Sequence, residues 1–430
     1  MSLNKFEPGR VQNLTNDQEH VLKQVWMYLL HFQGHQITPP GPLMKHASTV
    51  KGGSGSNEQP KKKGLLGRLK KNKKEDSDGH HKGLERSVTG QSGLDPNVKH
   101  STDLSFHDAL KGLEKDKISK TFQRALRHDF PDNLLLRFIR ARKWDVDNSL
   151  LMIAKTLEWR ENESHVDDLF CDGELECKRN KEEGVLIQYR KGKCIIRGRD
   201  KLNRPIVIVR PRFHLSSEQT SEQVEKFTLL LIESARLLLT EPVDQCVLIF
   251  DLNGFTMANM DYDPVKYITG AFEAHYPESL GVLLIHKAPW IFSGIWAIVK
   301  KWLDPVVASK INFTKSTEDL EKWISKDQLI EELGGNDKYT WEYLEPTDKD
   351  NSKNDDSEIR SKLEKERDEL FKKFDQKTIE WIESRTVEQS KSLLKERLLI
   401  QSELSENYKK LDQYIRNRGI YDRLGYVTFI

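Results

Sequence analysis

Five short aliphatic runs separated by helical segments constrain this chain more than any other feature. They are Val185–Tyr189, Cys194–Ile196, Pro205–Val209, Gln245–Phe250 and Gly281–Ile285. Each is too short for a helix that supports itself, and several are apolar at every position. That is the pattern of strands covered on both faces. The segments Ser221–Thr240 and Pro264–His275 between them carry apolar residues at helical spacing. Strands alternating with helices predict an α/β layer, and the Gly334-Gly335 pair marks its end.

The flanks have a different character. Thr15-Asn-Asp17 reads as the cap of an amphipathic helix burying Val21, Leu22, Val25, Trp26, Leu29 and Leu30. Residues 35–100 are rich in Gly, Ser, Pro, Lys and Asp, and bury too little apolar surface to offset chain entropy. They read as a disordered linker containing the basic run Lys61–Lys74. That run fits a tether to acidic membranes, a solvated linker or a nuclear-import signal. Helical periodicity returns near Leu104 and continues to Glu163, with starts at Pro131-Asp-Asn and Asp145-Val-Asp-Asn. From Ser357 to Arg416 the chain is highly charged, with apolar residues at helical spacing on either side of Thr386-Val387. This predicts a long helical hairpin packed on itself or on the N-terminal helix, with a dimerising coiled coil as the alternative. The expected order is an N-terminal helix (1–34), linker (35–100), small all-helical domain (101–165), α/β domain (166–345) and helical hairpin (346–430).

One segment of the α/β region stands out. Trp290, Trp296 and Trp302, three of nine tryptophans, lie close together with Ile291, Phe292, Ile295, Ile298, Val299 and Leu303 between them. A helix through this segment is apolar nearly all round, so it is buried or sits where water is scarce. It falls short of the roughly 20 apolar residues that span a bilayer, yet it carries the side chain favoured at membrane–water interfaces. A crowded core helix and an interfacial segment both fit.

Signs of covalent chemistry are weak. No phosphate loop, nucleophile elbow or H-E-x-x-H is present. The four cysteines lack zinc-site spacing and read as reduced thiols. His275 reads as a helix-end histidine, and Asp251 as the cap of the turn at Asn253-Gly254. With 69 basic and 67 acidic side chains, the chain is not a globally basic nucleic-acid binder. The N-terminus has no signal-peptide core and no transmembrane run follows, so the expectation is an intracellular, non-integral protein without enzymatic activity, metal or cofactor. What remains is charge in apolar surroundings: Glu278 before a buried strand, Lys310 beside Val306-Val-Ala308, and Arg137, Arg140 and Arg142 on one helix. Such charges need pairing or a charged ligand.

Leu135-Leu-Arg-Phe-Ile-Arg-Ala-Arg-Lys-Trp-Asp-Val146, Arg204–Arg210, His275-Tyr-Pro-Glu-Ser-Leu-Gly281, Asp304-Pro-Val-Val-Ala-Ser-Lys-Ile311 and Leu333-Gly-Gly335 carry a resemblance. In order and spacing they resemble the CRAL-TRIO lipid-binding family, over roughly residues 120–337. Within it they are similar to yeast phosphatidylinositol transfer proteins, and the flanking extensions to the divergent Csr-type branch. The resemblance implies a small helical domain on an α/β lipid pocket, with a mixed sheet as floor and a movable gate helix. It implies a phosphatidylinositol headgroup site at Arg142, Glu278 and Lys310. The gate, with Trp290, Phe292, Trp296 and Trp302, would cover the pocket and touch the bilayer during exchange. Val307 stands where the family has a threonine, which removes one hydroxyl contact. Cys246 and Leu248 stand where members that also bind phosphatidylcholine carry Ser and Thr.

The resulting expectation is a monomeric exchanger of phosphatidylinositol, with little phosphatidylcholine transfer, that supports phosphoinositide synthesis and membrane trafficking. Its partners would be lipid, a transient membrane surface and lipid kinase or phospholipase pathways. Its location would be cytoplasmic, with transient association to endosomal, Golgi or microsomal membranes. A binder or sensor of a wholly apolar ligand, sterol or squalene, is the alternative, with Glu278 and Lys310 merely paired.

Overall fold

A computed structural model describes residues 7–39 and 114–429. The Lys61–Lys74 run, nearly all of the expected linker and the first residues of the expected helical domain lie outside the described residues.

The N-terminal helix α1 (Asn16–Phe32) opens at Thr15, whose hydroxyl accepts the Gln18 amide while Gln18 reaches back to the Thr15 amide. This reciprocal cap satisfies two of the amides left free at a helix start. Helices α2 (Lys115–Leu126), α3 (Pro131–Ala141) and α4 (Val146–Glu158) follow. Pro131 sits at the first turn of α3, where its missing amide costs nothing. Asp145 caps α4. The hairpin is α12 (Ser357–Ile382) and α13 (Val387–Ile415), the second capped by Thr386. These elements do not form separate bodies. Val25, Trp26 and Leu30 of α1, Leu135 and Ile139 of α3, Ile153 of α4 and Phe374, Trp381, Ile400 and Leu404 of the hairpin share one core. At its centre the buried Asp132 carboxylate accepts from Trp26 Nε1 (2.7 Å), Arg397 Nη2 (2.6 Å) and Gln401 Nε2 (2.8 Å). Arg397 is also wedged over the Trp381 ring, 4.1 Å from its centroid. The hairpin thus buries apolar residues against α1 and α3 of its own chain, as one of the expected arrangements has it.

Helices α5 (Val166–Arg179) and α6 (Glu183–Arg190) lead into the sheet. The run Val185–Tyr189, expected as a strand, lies within α6. Val185, Leu186 and Tyr189 are buried while Arg190 is exposed, a spacing that fits one helical face. The sheet consists of β1 (Cys194–Arg199), β2 (Pro205–Val209), β3 (Cys246–Asp251), β4 (Leu280–His286) and β5 (Ile311–Thr314), in sequential order. The β1–β2 pair is antiparallel and the others parallel, so the sheet is mixed. The crossovers are α7 (Ser221–Leu237), α8 (Tyr262–Ala274) and the pair α9 (Phe292–Val299) and α10 (Pro305–Ser309).

Alternation divides the strand residues between two faces. Ile206, Ile208, Val247, Ile249 and Leu284 pack with Leu320, Ile324, Leu329 and Leu333 of the segment after β5. That segment begins with α11 (Thr317–Leu320) and turns at Gly334-Gly335. There Gly334 has φ +84°, and a Cβ on Gly335 would lie 1.9 Å from the Leu329 carbonyl oxygen. The other face is covered in part by α5 to α7 and by the C-terminal residues around α14 (Ile420–Arg423), where the Tyr421 hydroxyl accepts the Ile196 amide. Over β3 to β5 that face is left to the cavity described next.

Candidate functional site

The site is a cavity of about 430 Å³ on the second face of the sheet, within the ~300–1,000 Å³ usual for ligand sites. Leu248 and Phe250 of β3 and Leu283 and Ile285 of β4 supply its floor, because every second strand residue points that way. Val265, Ile268 and Phe272 of α8 form a side wall. Phe292, Ile295, Trp296 and Val299 of α9 lie across it. Helix α9 is apolar nearly all round: Phe292, Ile295, Trp296 and Val299 meet the cavity, while Ile298 is exposed on the other side.

The tryptophan-rich segment is not one continuous helix. It breaks after Lys300, and Asp304 caps α10 by accepting the Val306 amide at 2.7 Å, with Pro305 at the first turn. Of the expected gate residues, Trp290 points outward and is 87% exposed, accompanied by the exposed Ile298 and Val306. Phe292 and Trp296 line the cavity, so they face inward. Phe292 sits edge-on to Phe255, and Trp296 edge-on to Phe313. Trp302 is half-buried, edge-on to Tyr262 with the Lys266 ammonium 5.5 Å from its ring centroid. Of the four expected gate residues, Trp290 is thus on the outer surface, while Trp296 and Phe292 are on the cavity side.

The three expected headgroup residues all line this cavity. Arg142 ends α3, and among the described residues its guanidinium reaches only the Ala141 carbonyl, at 3.4 Å. Glu278 precedes β4 in a turn fixed by Pro277 and has φ +57°, the left-handed region. For a residue with a side chain this costs on the order of 1–3 kcal/mol, which surrounding structure must offset. Lys310 follows α10; its Nζ lies 3.9 Å from Glu278 Oε2 and donates to the Leu280 carbonyl at 2.8 Å. Both side chains are about four-fifths buried. Two cations and a carboxylate thus share the lining of one largely apolar cavity, which Asp261, Glu273 and Asp304 also border. Arg140 and Lys143 also line the cavity. The sequence marks Arg140 as a charge on its helix, but only the fold shows that it borders the same cavity as Arg142, Glu278 and Lys310, held by the Gly9 carbonyl (2.9 Å) and Asp244 (3.2 Å).

Val307 lines the cavity and offers no hydroxyl there. Leu248 forms part of the floor, and burial pushes the Cys246 thiol up to about 12, so it stays neutral. His275 ends α8 and stacks on Trp159 at 4.0 Å, and burial, with help from Arg160, lowers it to about 4. Asp251 accepts the Asn253 amide and pairs with Arg212, as a turn cap would. No group of His, Cys, Asp and Glu that could hold a metal occurs among the described residues. No helix of the described residues is long and apolar enough to cross a membrane.

Comparison with known proteins gives matches to the CRAL/TRIO domain over residues 189–335 and to the CRAL/TRIO N-terminal domain over residues 104–155. The chain is 43% identical to the phosphatidylinositol transfer protein CSR1 of Eremothecium gossypii, covering 96% of this chain and 97% of that one. It is 34% identical to the CRAL-TRIO domain-containing protein C3H8.02 of Schizosaccharomyces pombe, covering 98% of this chain and 92% of that one. The crystal structure of Sfh5 overlaps 55% of this chain and 86% of its own, at 17% identity and a TM-score of 0.39, too loosely to argue from.

Proposed function

The chain belongs to the CRAL-TRIO family, and from that premise we propose that it binds phosphatidylinositol and transfers it between membranes. The observation that carries this reading is the convergence of Arg142, Glu278 and Lys310 on one otherwise greasy cavity. A diacyl lipid has on the order of 30 methylenes, each worth ~0.8 kcal/mol out of water. Extraction from a bilayer is feasible only into an equally dry cavity, which the walls from β3, β4, α8 and α9 supply. Arg142 and Lys310 neutralise the lipid phosphate, and Glu278 accepts hydrogen bonds from inositol hydroxyls. Lipid entry exchanges the Glu278–Lys310 contact for contacts to the headgroup. Helix α9 is the gate: it moves aside while Trp290, Ile298 and Val306 meet the interface. Cys246 and Leu248 offer no hydroxyl to a choline lipid, so phosphatidylcholine is a poor cargo. The protein performs no covalent chemistry, works as a monomer at intracellular membranes, and presents its lipid to phosphoinositide-synthesising enzymes.

Transfer of labelled phosphatidylinositol between vesicles tests this. Lys310→Ala and Glu278→Ala should each reduce transfer at least tenfold, since each leaves its partner uncompensated and removes a charge-assisted contact. Normal transfer by both variants would remove the headgroup assignment. The 3.9 Å Glu278–Lys310 contact also favours a second reading, in which the pair stays intact beneath a wholly apolar ligand such as a sterol or squalene. Mass spectrometry of the lipid that co-purifies with the protein separates the two.

A further inference from the structure

Behind the Tyr276-Pro277 turn lies a second, smaller cavity of about 40 Å³ between α3, α4 and the end of α8. A buried water needs roughly 10–15 Å³ by this measure, so the space holds about three water-sized bodies. It is far too small for an inositol ring with its acyl chains. Arg137, Arg160 and Arg236 are among its lining residues.

Two of these arginines belong to a buried ion network. Arg160 pairs with Asp167 (2.7 Å) and Glu233 (3.1 Å), and Arg236 with Glu233 (3.0 Å) and Asp129 (3.0 Å). Arg127 bridges Asp167 and Glu233 from the far side. Arg137 stands apart. Its side chain is 5% exposed, its ion-pair contact is Asp129 at 3.6 Å, and its Nε has no hydrogen-bond partner among the described residues. Asp129 is already engaged by Arg236. Four guanidiniums therefore share three carboxylates. The Tyr276 hydroxyl donates to Glu233 and is held neutral by burial, so it adds no negative charge. Arg367, also buried, donates to the Arg127 carbonyl and brings a further positive charge alongside. An uncompensated buried cation is costly, and a counter-ion relieves it.

We propose that this cavity binds a small inorganic anion of chloride size, with Arg137 as its principal ligand. The anion completes the charge balance behind the turn that carries Glu278. The site does not depend on which lipid occupies the larger cavity. Crystals of the full chain grown with bromide in place of chloride test it, measured above the bromine absorption edge. The expected result is an anomalous peak within hydrogen-bonding reach of Arg137 Nε; density there without anomalous signal would be water and would overturn the proposal. In solution, bromide should raise the melting temperature relative to gluconate at equal ionic strength. Arg137→Met, similar in length and uncharged, should erase that difference, and an equal response in both proteins would count against the site. If Arg137→Met does not fold, the anomalous peak on the unaltered chain, present or absent, decides between anion and water without it.

Discussion

Two regions of this molecule use tryptophan in opposite ways. In the helical bundle, Trp26 and Trp381 are buried and their indole nitrogens donate to Asp132 and Glu19. Around them three elements distant in sequence lock together in one core. Along the gate, Trp290 is exposed, Trp302 is half-buried and Trp296 faces the apolar cavity. The bundle's aromatics stabilise a single packing. Those of the proposed gate divide between an apolar cavity on one side and the exposed surface on the other. An apolar helix with few polar ties to its neighbours suits the lid role proposed for it.

Substitutions can break or sharpen this contrast. The largest stability effect should come from Arg397→Ala, which leaves the Asp132 carboxylate buried without its cation. The expected loss is about 3–5 kcal/mol, read from urea denaturation. Trp381→Ala, in the same core, should cost about 3–5 kcal/mol as well, chiefly through lost burial and the cavity left behind. If either were as mild as a surface change, the bundle would not be the rigid half of the comparison.

A smaller effect is a pH dependence confined to the hairpin. Burial raises the Asp375 carboxyl to about 7, partly opposed by Arg397. An unfolded Asp releases its proton near 3.8, so between those values the folded chain holds the extra proton. Stability should therefore fall as pH rises from about 4 to about 7 and then level off. Asp375→Asn should flatten that slope relative to the unaltered chain in denaturation series across this range; an unchanged slope would place the proton elsewhere. The smallest stability effect should belong to Trp290→Ala, within about 0.5 kcal/mol because the ring packs on little. The same change should weaken vesicle binding and slow lipid transfer. Trp290→Ala with both stability and vesicle binding intact would return the gate's outer face to an ordinary surface.

Much of the fold is legible in local pattern. Thr15, Pro131, Asp145 and Thr386 each mark a helix start through chemistry confined to a few residues. Four of the five aliphatic runs are strands. The fifth, Val185–Tyr189, is helical because a short apolar run has no decisive period of its own, and its burial on one helical face depends on neighbours. Strand β5 carries little signal, since Ile311–Thr314 is four residues long with Asn312 and a half-exposed Phe313 in it. The tryptophan segment shows its apolar character but not its break, although Asp304-Pro305 is a helix-start signal in plain view.

The sequence by itself determined the α/β alternation, the capped helices and, through ordered motifs, the three charged positions Arg142, Glu278 and Lys310. These are local statements about period, capping and residue type. Only the tertiary structure decided that those charges line one cavity, that Arg140 joins them, and that Phe292 and Trp296 face inward while Trp290 faces out. It also decided that the hairpin packs on α1 as well as on itself, and that α3 joins the same core. The reason is physical: burial and charge pairing depend on which distant surfaces meet, and residues such as Asp132 and Arg397 reveal their partnership only once the chain has brought them together.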